Sequence, residues 1–202
     1  MENRRPLRSR QWKIFGRLAT ECVRRGIEPN QVSLASMAGA AVACIAILII
    51  GCVQGAFATA FWAIVAIAGI GLRVMANLID GMIAVEGGKK TLSGEVFNDA
   101  PDRVSDLLIL APLGYVVAGY PLFVALGWLA AVLSIMTAYA RMLGGACKTA
   151  QDFGGPMAKQ HRMAVTVVTL LGVAFERLQG GDGHISLSIG LLVLCAGAAL
   201  TV

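Results

Sequence analysis

Apolar residues run through this chain in blocks of about twenty, interrupted by short polar breaks. The blocks fall at about 31–53, 57–84, 102–118, 122–143, 161–175 and 185–202. A helix needs about 20 apolar residues to cross the hydrocarbon of a bilayer. A membrane barrel would instead alternate apolar and polar residues in segments of about ten, and no such alternation is present. The pattern predicts an all-α, polytopic integral membrane protein with six transmembrane helices.

Ahead of the first block lies a basic arm, residues 1–30, carrying Arg4, Arg5, Arg8, Arg10, Lys13, Arg17, Arg24 and Arg25. Trp12, Phe15, Ala19 and Cys22 recur in it at helical spacing, which predicts a juxtamembrane amphipathic helix lying on an anionic leaflet. Gly26 to Asn30 break that helix, and Pro29 suits the mouth of the next. Ala38, Gly39, Ala40, Ala41 and Ala43 give the first span a small-residue face for close helix contact. The links at 51–55 and at Tyr120-Pro121 carry no charge, whereas those at 87–94 and 141–162 are basic. Positive loops stay in the cytosol, so both termini and the basic loops are expected on the cytosolic side of the inner (cytoplasmic) membrane. No repeat or second domain is visible, and residues 1–202 read as one membrane domain without a cleavable leader.

Composition removes the main alternatives. The 202 residues are 57% hydrophobic and 14% charged, against about a quarter charged in soluble domains. The net charge of +5 sits on the cytosol-type loops, so it reports topology and implies no nucleic-acid partner. Cys22, Cys44, Cys52, Cys147 and Cys195 form no C-x-x-C pair and read as small apolar packers.

The chemistry is concentrated at residues 77–106. Asn77, Asp80, Asn98, Asp102 and Asp106 stand there between long apolar runs, where acids are costly and usually functional. Asn77, Asp80 and Ala84 share a face at the end of one helix, with Gly81 beside them. Asn98, Asp102 and Asp106 follow at four-residue steps on a helix opening near residue 98, with Pro101 in its first turn and Asn98 or Asp99 as cap. Oxygen side chains gathered this way suit hard cations such as Mg²⁺ or Mn²⁺.

These positions resemble the CDP-alcohol phosphatidyltransferases, whose members carry D-x2-D-G-x2-A-R-x8-G-x3-D-x3-D. The frame here is Asn77-x2-Asp80-Gly81-x2-Ala84-Val85-x8-Gly94-x3-Asn98-x3-Asp102, with every spacing kept. A Gly-Pro-x2-Lys-x2-Arg element at Gly155 to Arg162 is also similar. The resemblance implies transfer of a phosphatidyl group from CDP-diacylglycerol to a small, possibly phosphorylated, alcohol acceptor, with release of CMP, by a homodimer among membrane lipids. It implies Asn77, Asp80, Asn98 and Asp102 as metal positions and Asp80, Gly81, Ala84 and Gly94 at the donor nucleotide. Asp102 is the implied catalytic base, with Asp106 as the alternative. Arg141, Lys148, Lys159 and Arg162 are candidate cations for an acceptor phosphate; His161 and His184 read as ordinary loop histidines.

Three positions depart from the frame: Asn77 and Asn98 replace aspartates, and Val85 replaces the arginine, for which Lys89 or Lys90 is a candidate substitute. A catalytically inactive lipid- or nucleotide-binding member is therefore one alternative. A small cation-coupled transporter is another, though its acids would be expected near the bilayer midplane.

Overall fold

A computed structural model describes residues 13–27, 29–86, 94–147 and 155–202, and among these every element is helical. The helices are α1 Lys13–Arg24, α2 Pro29–Cys52, α3 Ala56–Glu86, α4 Gly94–Leu110, α5 Pro121–Ala146, α6 Lys159–Leu178 and α7 His184–Ala199, with a 3-10 turn at Ala111–Tyr115 between α4 and α5. Among the described residues, three stretches are long and apolar enough to cross a membrane: Gln31–Cys52, Ala56–Asp80 and Pro121–Gly145. The other three expected spans coincide with α4, α6 and α7, which are shorter or carry charges in their first turns. Large apolar side chains such as Leu34, Phe57, Phe61, Ile64, Leu122 and Val168 are exposed, an outward face suited to lipid.

Two boundaries differ from the sequence reading. Helix α4 opens at Gly94 rather than near residue 98, so Pro101 stands inside it and leaves one backbone hydrogen bond unmade. Asp99 pairs with Arg103 one turn on, at 2.7 Å, an i,i+4 contact in place of the expected cap. The third apolar block does not continue as α-helix to 118, because Pro112 has no N–H to give and the chain tightens into the 3-10 turn.

Helix α1 forms within the expected arm, of which residues 1–12 and the side chains of Phe15 and Ala19 lie outside the described residues. It packs against α3, where Cys22 meets the cluster around Met82 and Ile83. On its polar side Arg24 and Arg25 both pair with Glu21 and hold that carboxyl below its usual range.

Packing neighbours run α3–α2–α4–α5–α7–α6 and back to α3, a closed ring of six helices. One close seam joins α2 to α3. A Cβ on Gly69 would lie 2.7 Å from the Gly39 carbonyl oxygen and 2.9 Å from the Ala43 nitrogen, so the backbones touch there only because both residues are glycine. Far from this seam, Arg177 at the end of α6 donates to the carbonyls of Ile50, Val53 and Val116 and to Thr59 Oγ1. It thereby pins the α2–α3 link and the residue after the 3-10 turn to one helix end. Glu176 beside it accepts the Ser186 N–H at 2.9 Å and so satisfies the opening turn of α7.

The seam yields a paired prediction. Gly69→Ala should destabilise the protein by about 1–3 kcal/mol through overpacking. Gly71→Ala, where a Cβ meets nothing within 4 Å, should be neutral or stabilising by up to about 1 kcal/mol. Thermal unfolding in detergent distinguishes the two, and equal behaviour would refute the seam.

Candidate active site

Alternating helix directions bring the start of α2, the end of α3, the start of α4, the end of α5 and the start of α6 to one end of the ring. The polar residues there are spaced by three or four: Arg73, Asn77 and Asp80 on α3; Asp102 and Asp106 on α4; Lys159 and Arg162 on α6. Each set therefore lies on a single helix face.

Asp106 is the deepest of them and is completely buried. Its Oδ1 accepts from Arg73 Nη2 at 2.7 Å and its Oδ2 from Arg162 Nη2 at 2.9 Å. Arg73 is 0% exposed and Arg162 3%, so three charged groups share a site away from water. Arg162 Nη1 also donates to the Met157 carbonyl at 3.0 Å and to Thr137 Oγ1 at 3.3 Å, which adds α5 to the network. Arg73 Nη2 approaches Asp102 as well, at 3.4 Å from its carbonyl and 3.5 Å from Oδ1. Arg73 Nε and Nη1 and Arg162 Nε have no hydrogen-bond partner among the described residues.

One turn nearer the helix end, Asn77 Nδ2 donates to Asp102 Oδ1 at 2.8 Å. Lys159 Nζ sits between Asp102 Oδ2 at 2.5 Å and Asn77 Oδ1 at 2.9 Å. These partners fix the amide orientation, because an ammonium only donates and a carboxylate only accepts. Lys159 precedes the apolar part of α6. Burial, reinforced by Arg73, lowers its pKa to about 8 against the pull of Asp102 and Asp106. Asp80 Oδ2 accepts from Ser33 Oγ at 2.7 Å, which joins the start of α2 to the end of α3.

The structure thus gathers Asn77, Asp80, Asp102 and Asp106 at one end of the ring, with Asp106 turned into the arginines. Gly81 and Ala84 continue α3 beyond Asp80, Gly94 opens α4, and Asn98 lies on α4. The side chains of Ala84 and Asn98 fall outside the described residues, as do Lys89, Lys90 and Lys148 entirely. Among the expected acceptor cations, Lys159 and Arg162 are bound to acids, and Arg141 is half-buried on α5. Arg73 was given no role by the sequence reading. Its signal was available: Arg73 is four residues before Asn77 and Asp106 four after Asp102, so a cation and an acid extend the frame inward by one turn on each helix.

Among the described residues, no three of His, Cys, Asp and Glu come together as a metal cluster. The remaining oxygens still suit a hard cation, since Asn77 Oδ1 and Asp102 Oδ2 already hold a positive group between them and are the donor types Mg²⁺ and Mn²⁺ take.

The helix ring is a fold also seen in solved structures. The solved structures it matches include those of Mycobacterium tuberculosis phosphatidylinositol phosphate synthase (PgsA1). With CDP-DAG bound, that enzyme aligns at a TM-score of 0.73 and 21% identity over 94% of this chain and 90% of its own. In complex with manganese and citrate the values are 0.72 and 20%, over 93% and 84%; in apo form they are 0.68 and 21%, over 91% and 90%. The fold is therefore the one that the resemblance to CDP-alcohol phosphatidyltransferases implies. No protein-family model matches the chain, and no curated protein matches its sequence.

The buried triad makes its own prediction. Arg73→Met leaves the Asp106 carboxylate short of one partner and should cost about 3–5 kcal/mol. Asp106→Leu, which sets two arginines against each other, should cost a similar amount. Combined, the two changes should lose clearly less than their sum, as coupled partners do. Thermal unfolding of the three variants tests this, and strictly additive losses would show that the pair is not coupled.

Proposed function

We propose that this protein is a CDP-alcohol phosphatidyltransferase that transfers a phosphatidyl group from CDP-diacylglycerol to a small, possibly phosphorylated, alcohol. The observation that carries the proposal is the joining of the frame residues Asn77 and Asp102 from two separate helices, in a fold shared with a synthase solved with CDP-DAG. On this reading residues 1–202 form one domain with six spans, both termini are cytosolic and the site lies at the cytosolic face of the inner membrane. A lipid donor then enters between helices while a polar acceptor arrives from water. A homodimer belongs to the same reading.

Asp102 is the proposed base. As the acceptor oxygen bonds to the lipid-linked phosphorus, its proton passes to the Asp102 carboxylate. The P–O bond to the CMP phosphate breaks, and CMP departs with the electron pair. Asn77 and Lys159 orient Asp102 by the contacts described above. Asp106 is assigned the structural task of fixing Arg73 and Arg162, which leaves the proton transfer to Asp102. Asp80, Asn77, Asn98 and Asp102 would hold a Mg²⁺ or Mn²⁺ ion, which supplies neutralisation of the donor pyrophosphate when bound. Gly81, Ala84 and Gly94 form the donor approach, and Arg141 and Lys148 remain the proposed cations for an acceptor phosphate.

A second reading, a lipid- or nucleotide-binding member without turnover, is favoured by Asn77 and Asn98 and by the lysine in contact with two frame residues. One assay separates them: CMP release from CDP-diacylglycerol by purified protein, with Mg²⁺ or Mn²⁺ and a panel of alcohols. The transferase should release CMP with one acceptor and stop on EDTA addition. Asp102→Asn should then lower the rate by more than about a hundredfold, the scale of a lost general base. Asp80→Ala should do likewise while the protein stays folded. CDP-diacylglycerol binding without release across the panel would select the second reading.

A further inference from the structure

We infer that Thr201, just beyond α7, is a positioning residue whose hydroxyl fixes the backbone of Met157 and thereby seats Lys159 against Asp102. The inference rests on the reading of Asp102 as the base and deepens it. Thr201 Oγ1 donates to the Gly197 carbonyl at 2.7 Å and accepts the Met157 N–H at 3.0 Å. The first bond commits the hydroxyl proton and leaves a lone pair for the second. Met157 is itself buried, and its carbonyl accepts from Arg162 Nη1 at 3.0 Å. Both polar groups of its backbone are therefore taken, one by the end of α7 and one by the buried triad. Only Ala158, also buried, separates it from Lys159 at the start of α6. The Lys159 ammonium in turn contacts Asp102 Oδ2 and Asn77 Oδ1.

Packing is the second support. Gly155, which opens the Gly-Pro-x2-Lys-x2-Arg element, has a φ of +112°, a conformation that glycine adopts readily. A Cβ there would lie 2.6 Å from Thr201 Cγ2, and one on Gly197 would collide with the Met157 side chain. The element and the end of α7 thus meet at two glycines that leave no room for a side chain. Among the described residues the Thr201 hydroxyl makes no bond to the acids, so it reaches the site through the short segment leading to Lys159.

Thr201→Val, which keeps the shape and removes the hydroxyl, tests the inference in the purified protein. Its kcat for CMP release should fall about tenfold or more, the scale of a misplaced catalytic group, with KM for CDP-diacylglycerol little changed. Thr201→Ser should restore most of the rate. In a Lys159→Met background Thr201→Val should lower the rate little further, as coupled positions do. A second readout is independent of turnover. Acetic anhydride should acylate Lys159 about fivefold faster in Thr201→Val than in wild type, the weight of one hydrogen bond, with the chain's other lysines as internal reference. Unchanged kcat and labelling, no rescue by serine, or losses additive with Lys159→Met would overturn the inference. Should the valine variant not fold, amide exchange of wild type decides: the Met157 N–H should exchange as slowly as the interior of α6, and exchange at the rate of an exposed loop would overturn it. Wild type that releases no CMP with any acceptor would instead remove the transferase reading, and the labelling comparison would then decide whether Thr201 seats Lys159.

Discussion

A carboxylate with no exposed surface, held between two buried arginines, is the constraint around which this helix ring is organised. Asp106 cannot lose either partner cheaply, since a single charge stranded in a low-dielectric interior costs several kcal/mol. The pairings therefore set the depth of α3 and α6 against α4, each through one side chain. Ser134 and Thr137 on α5 and Thr166 on α6 are buried, and the Arg162–Thr137 contact draws α5 into the same register. An apolar seam alone would be far less selective, because apolar faces slide past one another at little cost, whereas a charge pair is satisfied in one arrangement.

The two ends of the ring use this logic differently. At the end bearing Arg177, one guanidinium satisfies backbone carbonyls left over by the α2–α3 link and the residue after the 3-10 turn. Those groups have no other use, and the contact serves architecture. At the opposite end the guanidinium and ammonium groups chiefly meet acids, which are brought to the border of the apolar ring. Between them the Gly39–Gly69 contact holds α2 against α3. The chain entering the site and the helix supplying Asn77 and Asp80 therefore share a fixed spacing, reinforced by Ser33 on Asp80.

Most of the architecture was legible in the sequence because hydrophobic length and small-residue faces are local signals. The amphipathic arm, the helices at the six apolar blocks and the close α2–α3 contact all follow from residues adjacent in the chain. The start of α4 was misplaced because Pro101 was read as a first-turn residue, whereas the helix tolerates it one turn in. The end of the third block was missed for the opposite reason, Pro112 being hidden in an apolar run. Within the site, the spacing of the frame foretold that Asn77 and Asp102 would meet. Helical spacing does not say which partner a charged group takes across the ring, so the same pattern left Asp106 looking like a cage acid and Lys159 like a phosphate ligand.

Asn77 shows how one departure from the frame is accommodated. Its amide donates to Asp102 through Nδ2 and accepts Lys159 through Oδ1. An aspartate at that position would only accept, so it would face Asp102 with a like charge and lose the bond between them. The asparagine thus requires a donor for its oxygen, and Lys159 supplies one while neutralising Asp102. Asp106, in turn, is needed because Arg73 and Arg162 would otherwise crowd two unmatched positive charges beneath that lysine. Loss of charge at one frame position and gain of a buried ion triad one turn deeper are parts of a single electrostatic arrangement, in which no member is readily exchanged alone.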